Sequence, residues 1–349
     1  MIKKECFTAE WIEQVSSELH YNDKNLIEKV IRALSLLEML VKAGCPLVFK
    51  GGTALMLILG KSAHRLSIDI DLICPPGTNI EDYLKSFADF GFINLELVER
   101  KQRDDADIPK SHSKFFYQIA YRNDTDAQSY ILLDVLYEDI HYFRTQQIAI
   151  NCPFIRLEGK PLMVTVPSAE DILGDKLTAF APNTTGIPYY RNGRSCSMEI
   201  AKQLYDVGRL FENVSDLQIT KEAFRKIAVV ELSYRSFGTD IGQVFNDIRQ
   251  TALCISTRGK AGEGDFDLIQ DGIIRVKSFM YKQRYLIDHA IIDAARAAYL
   301  ATLIEKGINE IESYSNNPAD IKDMVIRPSL PNKPEAYYYW AKTSELLEA

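Results

Sequence analysis

The sequence predicts an α+β chain in two parts: a mixed-sheet α/β domain with N-terminal helices over residues 1–165, and a helical domain over 166–349. Three observations carry that expectation. Short apolar runs, broken at glycine and proline, dominate the first half. After about residue 165 the apolar spacing changes to the three-and-four repeat of amphipathic helices. A length of 349 residues suits two cores better than one.

Residues 8–19 and 24–43 read as helices, the second with apolar positions Ile27, Val30, Ile31, Leu34, Leu37 and Leu40, ending at Gly44. Pro46 precedes a short apolar strand, LVF. Gly51 and Gly52 break it, and residues 53–59 read as a helix. LSIDIDLI, residues 66–73, alternates as a strand, and PPGTN is a turn before a helix over 80–89. Three strand-like runs follow at 93–100, 115–122 and 130–137, with KQRDDADIPKSHSK as a polar loop between the first two.

Ser168 and Asp171 have capping-box spacing at the start of the next helix. Further helical runs lie near 196–212, 219–236, 238–257, 265–282 and 285–306. Before the first of these, APNTTGIPYYRNGRS is a long loop rich in Pro, Gly and Asn. It holds Tyr189, Tyr190, Arg191 and Arg194, residue types suited to stacking and phosphate contact. Residues 314–349 read as a tail packed on the body.

Composition narrows the function classes. The chain is 46% hydrophobic and 26% charged, an ordinary globular balance. Six scattered cysteines show no CxxC or zinc-ligand spacing, which argues against structural zinc and a disulfide framework and suits a reducing cytoplasm. No apolar run is long enough to span a bilayer. Lys and Arg total 41 against 48 Asp and Glu, a net charge of −7. A nucleic-acid partner would therefore have to meet a local basic surface.

The stretch Lys50–Ile73 concentrates the chemistry. GKS at 60–62 imitates the end of a Walker A loop, but position 55 is Leu and ALMLIL favours a helix, so that reading fails. In LSIDIDL, Asp69 and Asp71 fall on one face of the strand and Ile68, Ile70 and Leu72 on the other. Asp134 stands among Leu132, Leu133, Val135 and Leu136, where an ionised carboxylate is costly without a cation or donors. Two acids on one strand and a third on another suit Mg²⁺, which prefers carboxylate and phosphate oxygens; a pair of ions can clamp a phosphoryl transfer. Gly51–Gly52 before a helix allows close backbone approach to phosphate at a positive helix terminus, and Lys50 and Thr53 are placed to add contacts.

The order of GG turn, helix, D-x-D strand and later acid resembles the DNA polymerase beta-like nucleotidyltransferase superfamily. More narrowly, FKGGTAL with RLSIDIDL resembles the AbiE-type (AbiEii) abortive-infection nucleotidyltransferase toxins. EDILGDKLTAF is similar to that family's later lysine motif, and the helix bearing Asp206 to its final acidic motif. The resemblance covers roughly residues 45–212. It implies a polymerase-beta-like domain followed by a helical C-terminal domain that contributes Lys176 and Asp206 to the cleft. Gly51, Gly52 and Thr53 would hold phosphate, and Asp69, Asp71 and Asp134 would bind metal, with Asp134 as a candidate base. Arg65 and Ser67 match the R-x-S lead-in to the strand.

Lys176 lies within the apolar stripe Ile172, Leu173, Leu177 and Phe180, so it either snorkels outward or meets an anion. Asp206 falls outside its helix's apolar face, where it suits an exposed pair with Lys202. The family tends to carry a further acid where this chain has Gln203.

The resemblance implies a toxin that moves NMP from an NTP to RNA, the tRNA 3′ end being the expected acceptor, with Mg²⁺ as cofactor; the chain is expected to be a monomer, and its cysteine usage points to the cytoplasm. A cognate antitoxin would be its counterpart. A small-molecule or protein hydroxyl as acceptor stays open, as does a non-catalytic nucleotide-binding module.

Overall fold

A computed structural model describes residues 1–98, 110–121, 127–214, 216–235, 240–314, 326, 330 and 332–349. Outside these lie residues 99–100 and 122 of the expected strands, 101–109 of the polar loop, 236 and 238–239 at expected helix ends, and 315–325, 327–329 and 331 of the tail. By its contacts the chain divides into two units. One comprises Met1–Ile140, Thr145–Ser168 and Ser278–Arg284; the other comprises His141–Arg144, Ala169–Lys277 and Tyr285–Ala349.

In the first unit, Thr8 caps α1 (Ala9–Glu18) by accepting from the Trp11 N–H, and Asp23 caps α2 (Lys24–Lys42) by accepting from the Leu26 N–H. Helix α2 is buried along most of its length, as its leucine and isoleucine stripe requires. Its buried charges are used at the ends of other segments. Glu28 accepts from the Ala120 N–H at 3.1 and 3.2 Å, and Arg32 donates to the Gly91 carbonyl at 3.1 Å while lying over the Tyr117 ring. Glu38 accepts from the Ile2 N–H at 2.9 Å.

Beside these helices lies a five-stranded sheet of β1 (Val48–Lys50), β2 (Ile70–Cys74), β3 (Asn94–Val98), β4 (Lys110–Gln118) and β5 (Gln128–Tyr137), in the order β1-β2-β5-β4-β3. Only the β2–β5 pair is parallel. Period-two alternation sets its faces: Ile131, Leu133 and Val135 of β5, with Ser113, Phe115 and Tyr117 of β4, are buried on one side. Between β1 and β2 runs α3 (Gly51–Leu59). A separate antiparallel pair, β6 (Thr145–Ala149) and β7 (Met163–Pro167), completes the unit.

Several boundaries differ from the sequence reading. The expected helix over 80–89 is two 3-10 turns, Ile80–Tyr83 and Phe87–Phe90. Strand β4 begins at Lys110, inside the expected polar loop, and β2 begins at Ile70, so Asp69 precedes it. Strands β6 and β7 are additions.

The second unit contains α4 (Ala169–Ala179), a hairpin of β8 (Tyr190–Arg191) and β9 (Arg194–Ser195), then α5 (Ser197–Phe211), α6 (Leu217–Tyr234), α7 (Ile241–Ser256), α8 (Phe266–Val276), α9 (Ile287–Lys306) and α10 (Pro334–Glu348). The expected helix over 265–282 ends at Val276, followed by a 3-10 turn at Lys277–Phe279. Helix α9, rich in alanine, is buried on almost every side; small side chains let α5, α7 and α10 approach it closely. Asp293 and Arg296 on α9 are buried together, and Arg296 also reaches Glu212 and Glu335.

Glycine fixes other approaches. A Cβ at Gly272 of α8 would lie 2.2 Å from the Ser197 carbonyl oxygen, at the start of α5. Gly272→Ala gains about 1 kcal/mol of helix propensity, yet it must push two backbones apart. A net loss of about 1–3 kcal/mol is expected from overpacking, read as a lower midpoint in urea. An unchanged midpoint would show that this glycine does not set the α5–α8 separation.

Candidate functional site

The first constellation is a product of strand register. Lys50 of β1 pairs with Asp71 of β2, Asp71 with Asp134 of β5, and Asp134 with His112 of β4. Partnered residues on adjacent strands share a face, and neighbouring strands lie about 4.8 Å apart. Four charged or titratable side chains therefore form a row across the sheet, opposite the face that buries Leu133, Val135, Phe115 and Tyr117.

Within that row His112 Nδ1 lies 2.5 Å from Asp134 Oδ1, with the imidazole only 12% exposed. The sequence reading missed His112 because KSHSK looked like loop. The available signal was the alternation His112, Lys114, Phe116 against Ser113, Phe115, Tyr117.

The turn from β1 into α3 abuts this row. Gly51 has φ +78°, and a Cβ there would come within 2.1 Å of Asp71 Oδ2. Only glycine meets both demands without strain. A Cβ on Gly52 would lie 2.6 Å from Ser67 Oγ and 2.9 Å from Arg65 Nη2. The GG turn is therefore closed on two sides by residues of the D-x-D segment. Thr53, fully buried, donates its hydroxyl to the Asp69 carbonyl at 2.7 Å, so its side chain ties α3 to the residue before β2.

Arg65 is also buried, with Nη1 donating to the Leu66 carbonyl at 3.0 Å. The short segment Ser278–Arg284 braces this stretch. Leu66 N–H donates to the Phe279 carbonyl at 2.8 Å, Tyr281 N–H to the His64 carbonyl at 3.0 Å, and the Tyr281 hydroxyl to the Ala63 carbonyl. Thus the structure gathers Lys50, Gly51, Gly52, Thr53, Arg65, Ser67, Asp69, Asp71 and Asp134 in one unit.

Among the described residues, no three His, Cys, Asp or Glu side chains are arranged as a metal-holding group. Magnesium is commonly bound through one or two carboxylates, its remaining positions filled by water and substrate phosphate. The in-register Asp71–Asp134 pair would supply hard-oxygen donors of that kind, with Asp69 just outside the strand.

The second constellation lies within the helical unit. Lys176 of α4 is 3.0 Å from Asp206 Oδ2 and 3.0 Å from Gln203 Oε1, both on α5. Asp206 is 2% exposed, which corrects the expectation of an exposed pair with Lys202. Helix α5 is packed by α4, α8 and α9, so positions beside its apolar stripe are also enclosed. Lys176 meets an anion instead of snorkelling, and that anion is the chain's own carboxylate. Gln203, standing where the resemblance expects an acid, still accepts from the ammonium. Two acids of α4 are used locally: Asp171 accepts from the Phe143 and Arg144 N–H groups at 2.7 and 3.0 Å, and Asp175 from the Tyr142 hydroxyl at 2.9 Å.

Two outcomes follow from this geometry. Gly51→Ala displaces the Asp71 carboxylate and should lower turnover about 10²-fold, the scale on which a shift near 1 Å acts. Gly44→Ala, at φ +75° with open space around it, should leave turnover within a few-fold; equal effects would mean the Asp71 contact is unimportant. Lys176→Met strands a buried carboxylate and should cost about 3–5 kcal/mol in urea unfolding. Lys176→Met with Asp206→Leu should recover most of that loss, and failure to recover would assign the cost to packing.

Among solved structures the chain is similar to JHP933 from Helicobacter pylori, at 15% identity over 88% of this chain and 95% of that one, with a TM-score of 0.41. It is also similar to MenT4, a nucleotidyltransferase toxin from Mycobacterium tuberculosis H37Rv, at 12% identity over 96% and 98% of the two chains, with a TM-score of 0.46. No curated protein matches the chain. Residues 34–304 match the model of the family described as nucleotidyl transferase AbiEii toxin, type IV toxin–antitoxin system, and the chain belongs to that family of nucleotidyltransferases.

Proposed function

We propose that this nucleotidyltransferase toxin moves a nucleoside monophosphate from an NTP to a hydroxyl of RNA, with the tRNA 3′ end as acceptor, and that it requires Mg²⁺. The observation that carries this reading is the row Lys50, Asp71, Asp134 and His112, with the Gly51 backbone against the Asp71 carboxylate. Bound to such carboxylates, Mg²⁺ would neutralise charge on the triphosphate and the leaving pyrophosphate. Asp71 and Asp134 are the metal ligands in this reading, with Asp69 as the third.

The chain's own residues have separate tasks. The Gly51–Gly52 turn, packed without side chains against Asp71, Ser67 and Arg65, would offer the free N–H groups at the start of α3 to phosphate. Lys50 adds positive charge at the end of the row. Asp134 accepts the proton of the acceptor hydroxyl as its oxygen bonds to the α-phosphorus and the bond to the β-phosphate oxygen breaks. Such in-line transfer depends on positioning and charge more than on covalent help. Lys176 and Asp206 carry the later roles that the resemblance assigns them, phosphate contact and the final acid.

The protein is read as a monomer of the cytoplasm, opposed by a cognate antitoxin. Its six cysteines are all free, which supports a reducing compartment. Among the described residues no helix is long and apolar enough to cross a membrane.

The test is incubation of the purified protein with Mg²⁺, each labelled NTP in turn and total tRNA, alongside Asp69→Asn and Asp71→Asn. Label should enter RNA with the wild type, and each variant should lose about 10²-fold or more, the scale of removing one preorganised charge-stabilising group. Pyrophosphate released without label in RNA would move the acceptor to a small molecule or protein hydroxyl. NTP binding with no pyrophosphate under any condition would leave a nucleotide-binding module.

A further inference from the structure

The loop PYYRNGRS is a built element. Tyr190 pairs with Ser195 and Arg191 with Arg194, while Asn192 and Gly193 take φ +51° and +73°. Positive φ at both central positions is the type I′ turn that Asn-Gly favours. The Cys196 N–H closes the ladder on the Tyr189 carbonyl at 2.9 Å. Alternation along the strand explains the tyrosine pair. Tyr189 turns inward, its hydroxyl where a Cβ on Gly264 would come within 2.5 Å, whereas Tyr190 is 57% exposed.

The turn sets two guanidinium stems directly opposite, with Cβ atoms about 5 Å apart, and like charges so placed destabilise a hairpin. Both arginines are exposed, and among the described residues no ion pair engages either. A tight turn therefore holds an uncompensated cationic pair in a chain whose net charge is −7. It leads directly into α5, where the Ser195 and Ser197 hydroxyls lie 3.0 Å apart. Asp206 follows on the same helix, about 14 Å along its axis from Ser197.

We propose that the hairpin Tyr190–Ser195 is a docking element for the sugar-phosphate backbone of the RNA acceptor. Arg191 and Arg194 contact phosphate from one face of the ribbon, and Tyr190, on the other, stacks on a base. Planar guanidinium forks suit phosphate oxygens, and an exposed aromatic at the next position, on the opposite face, suits an unpaired nucleotide. The assignment of RNA rests on the acceptor proposed above; the hairpin's binding role is tested without catalysis.

The probe is bulk tRNA, titrated at several salt concentrations in the absence of NTP, against wild type, Arg191→Ala/Arg194→Ala and Tyr190→Ala. The double variant should bind about tenfold or more weakly, with the slope of log affinity against log salt reduced by about 1.4–1.8, two contacts at 0.7–0.9 each. Tyr190→Ala should lose about tenfold, within the range of one stacked base, with the slope unchanged. NTP binding should be the same in all three proteins, which shows that the fold is retained.

Unchanged tRNA affinity in the double variant would overturn the proposal. So would an equal loss on polyglutamate with no effect of Tyr190→Ala on tRNA, because the hairpin would then be a surface for acidic protein. Weakened tRNA binding in a protein that transfers no label to RNA would keep the hairpin's role and reject the acceptor.

Discussion

The candidate chemistry depends on strand register. Lys50, Asp71, Asp134 and His112 form a row because β1, β2, β5 and β4 pair in one alignment. Two carboxylates about 5 Å apart repel by roughly 1 kcal/mol in a watery surrounding, so the acids do not choose that alignment. The other face does. A one-residue slip of β5 would turn Ile131, Leu133 and Val135 out of the core, at about 1.5–3 kcal/mol each. Apolar burial outweighs the repulsion several times over and holds the acids side by side.

A second layer of constraint keeps the β1–α3 turn against that row. Gly51 meets the Asp71 carboxylate, Gly52 meets Ser67 and Arg65, and Thr53 holds the Asp69 carbonyl. Each member of the GG-T stretch thus has a counterpart in the segment Arg65–Asp71. The segment is itself fixed from behind by Phe279 and Tyr281, far along the chain. The D-x-D motif and the GG turn are one structural object, although the sequence separates them by an apolar helix.

The local motifs were legible because they are local. Period two put Asp71 on the face opposite the buried Ile70 and Leu72, and the α2 stripe was readable from its leucines. What failed depended on tertiary surroundings. His112 was hidden because a strand whose outward positions are Lys110, His112 and Lys114 looks like loop until its inward Phe115 and Tyr117 find a core. Asp206 looked exposed because a helical wheel shows one apolar face, whereas α5 is enclosed by three helices. Asp69 was expected inside the strand, but pairing with β5 begins at Ile70. Period gives the face of a residue; it does not give the first hydrogen-bonded pair.

The cations the sequence singled out differ in what already faces them, and that difference sorts their roles. Lys50 is in register with Asp71 on the neighbouring strand, so in the proposed reaction its charge would sit at the end of the row of acids. Lys176 is more restricted. An ammonium has three hydrogens; Asp206 and Gln203 account for two of them at 3.0 Å each. An incoming anion can take one hydrogen bond without disturbing that pair, and more only by leaving Asp206 buried and uncompensated. In the proposed reaction Lys176 would therefore be limited to a single directed contact, since Asp206, thirty residues later, already holds it. Gln203 would fit such a role. Its carbonyl orients the ammonium without cancelling charge, so the lysine keeps more of its positive field than it would opposite two carboxylates.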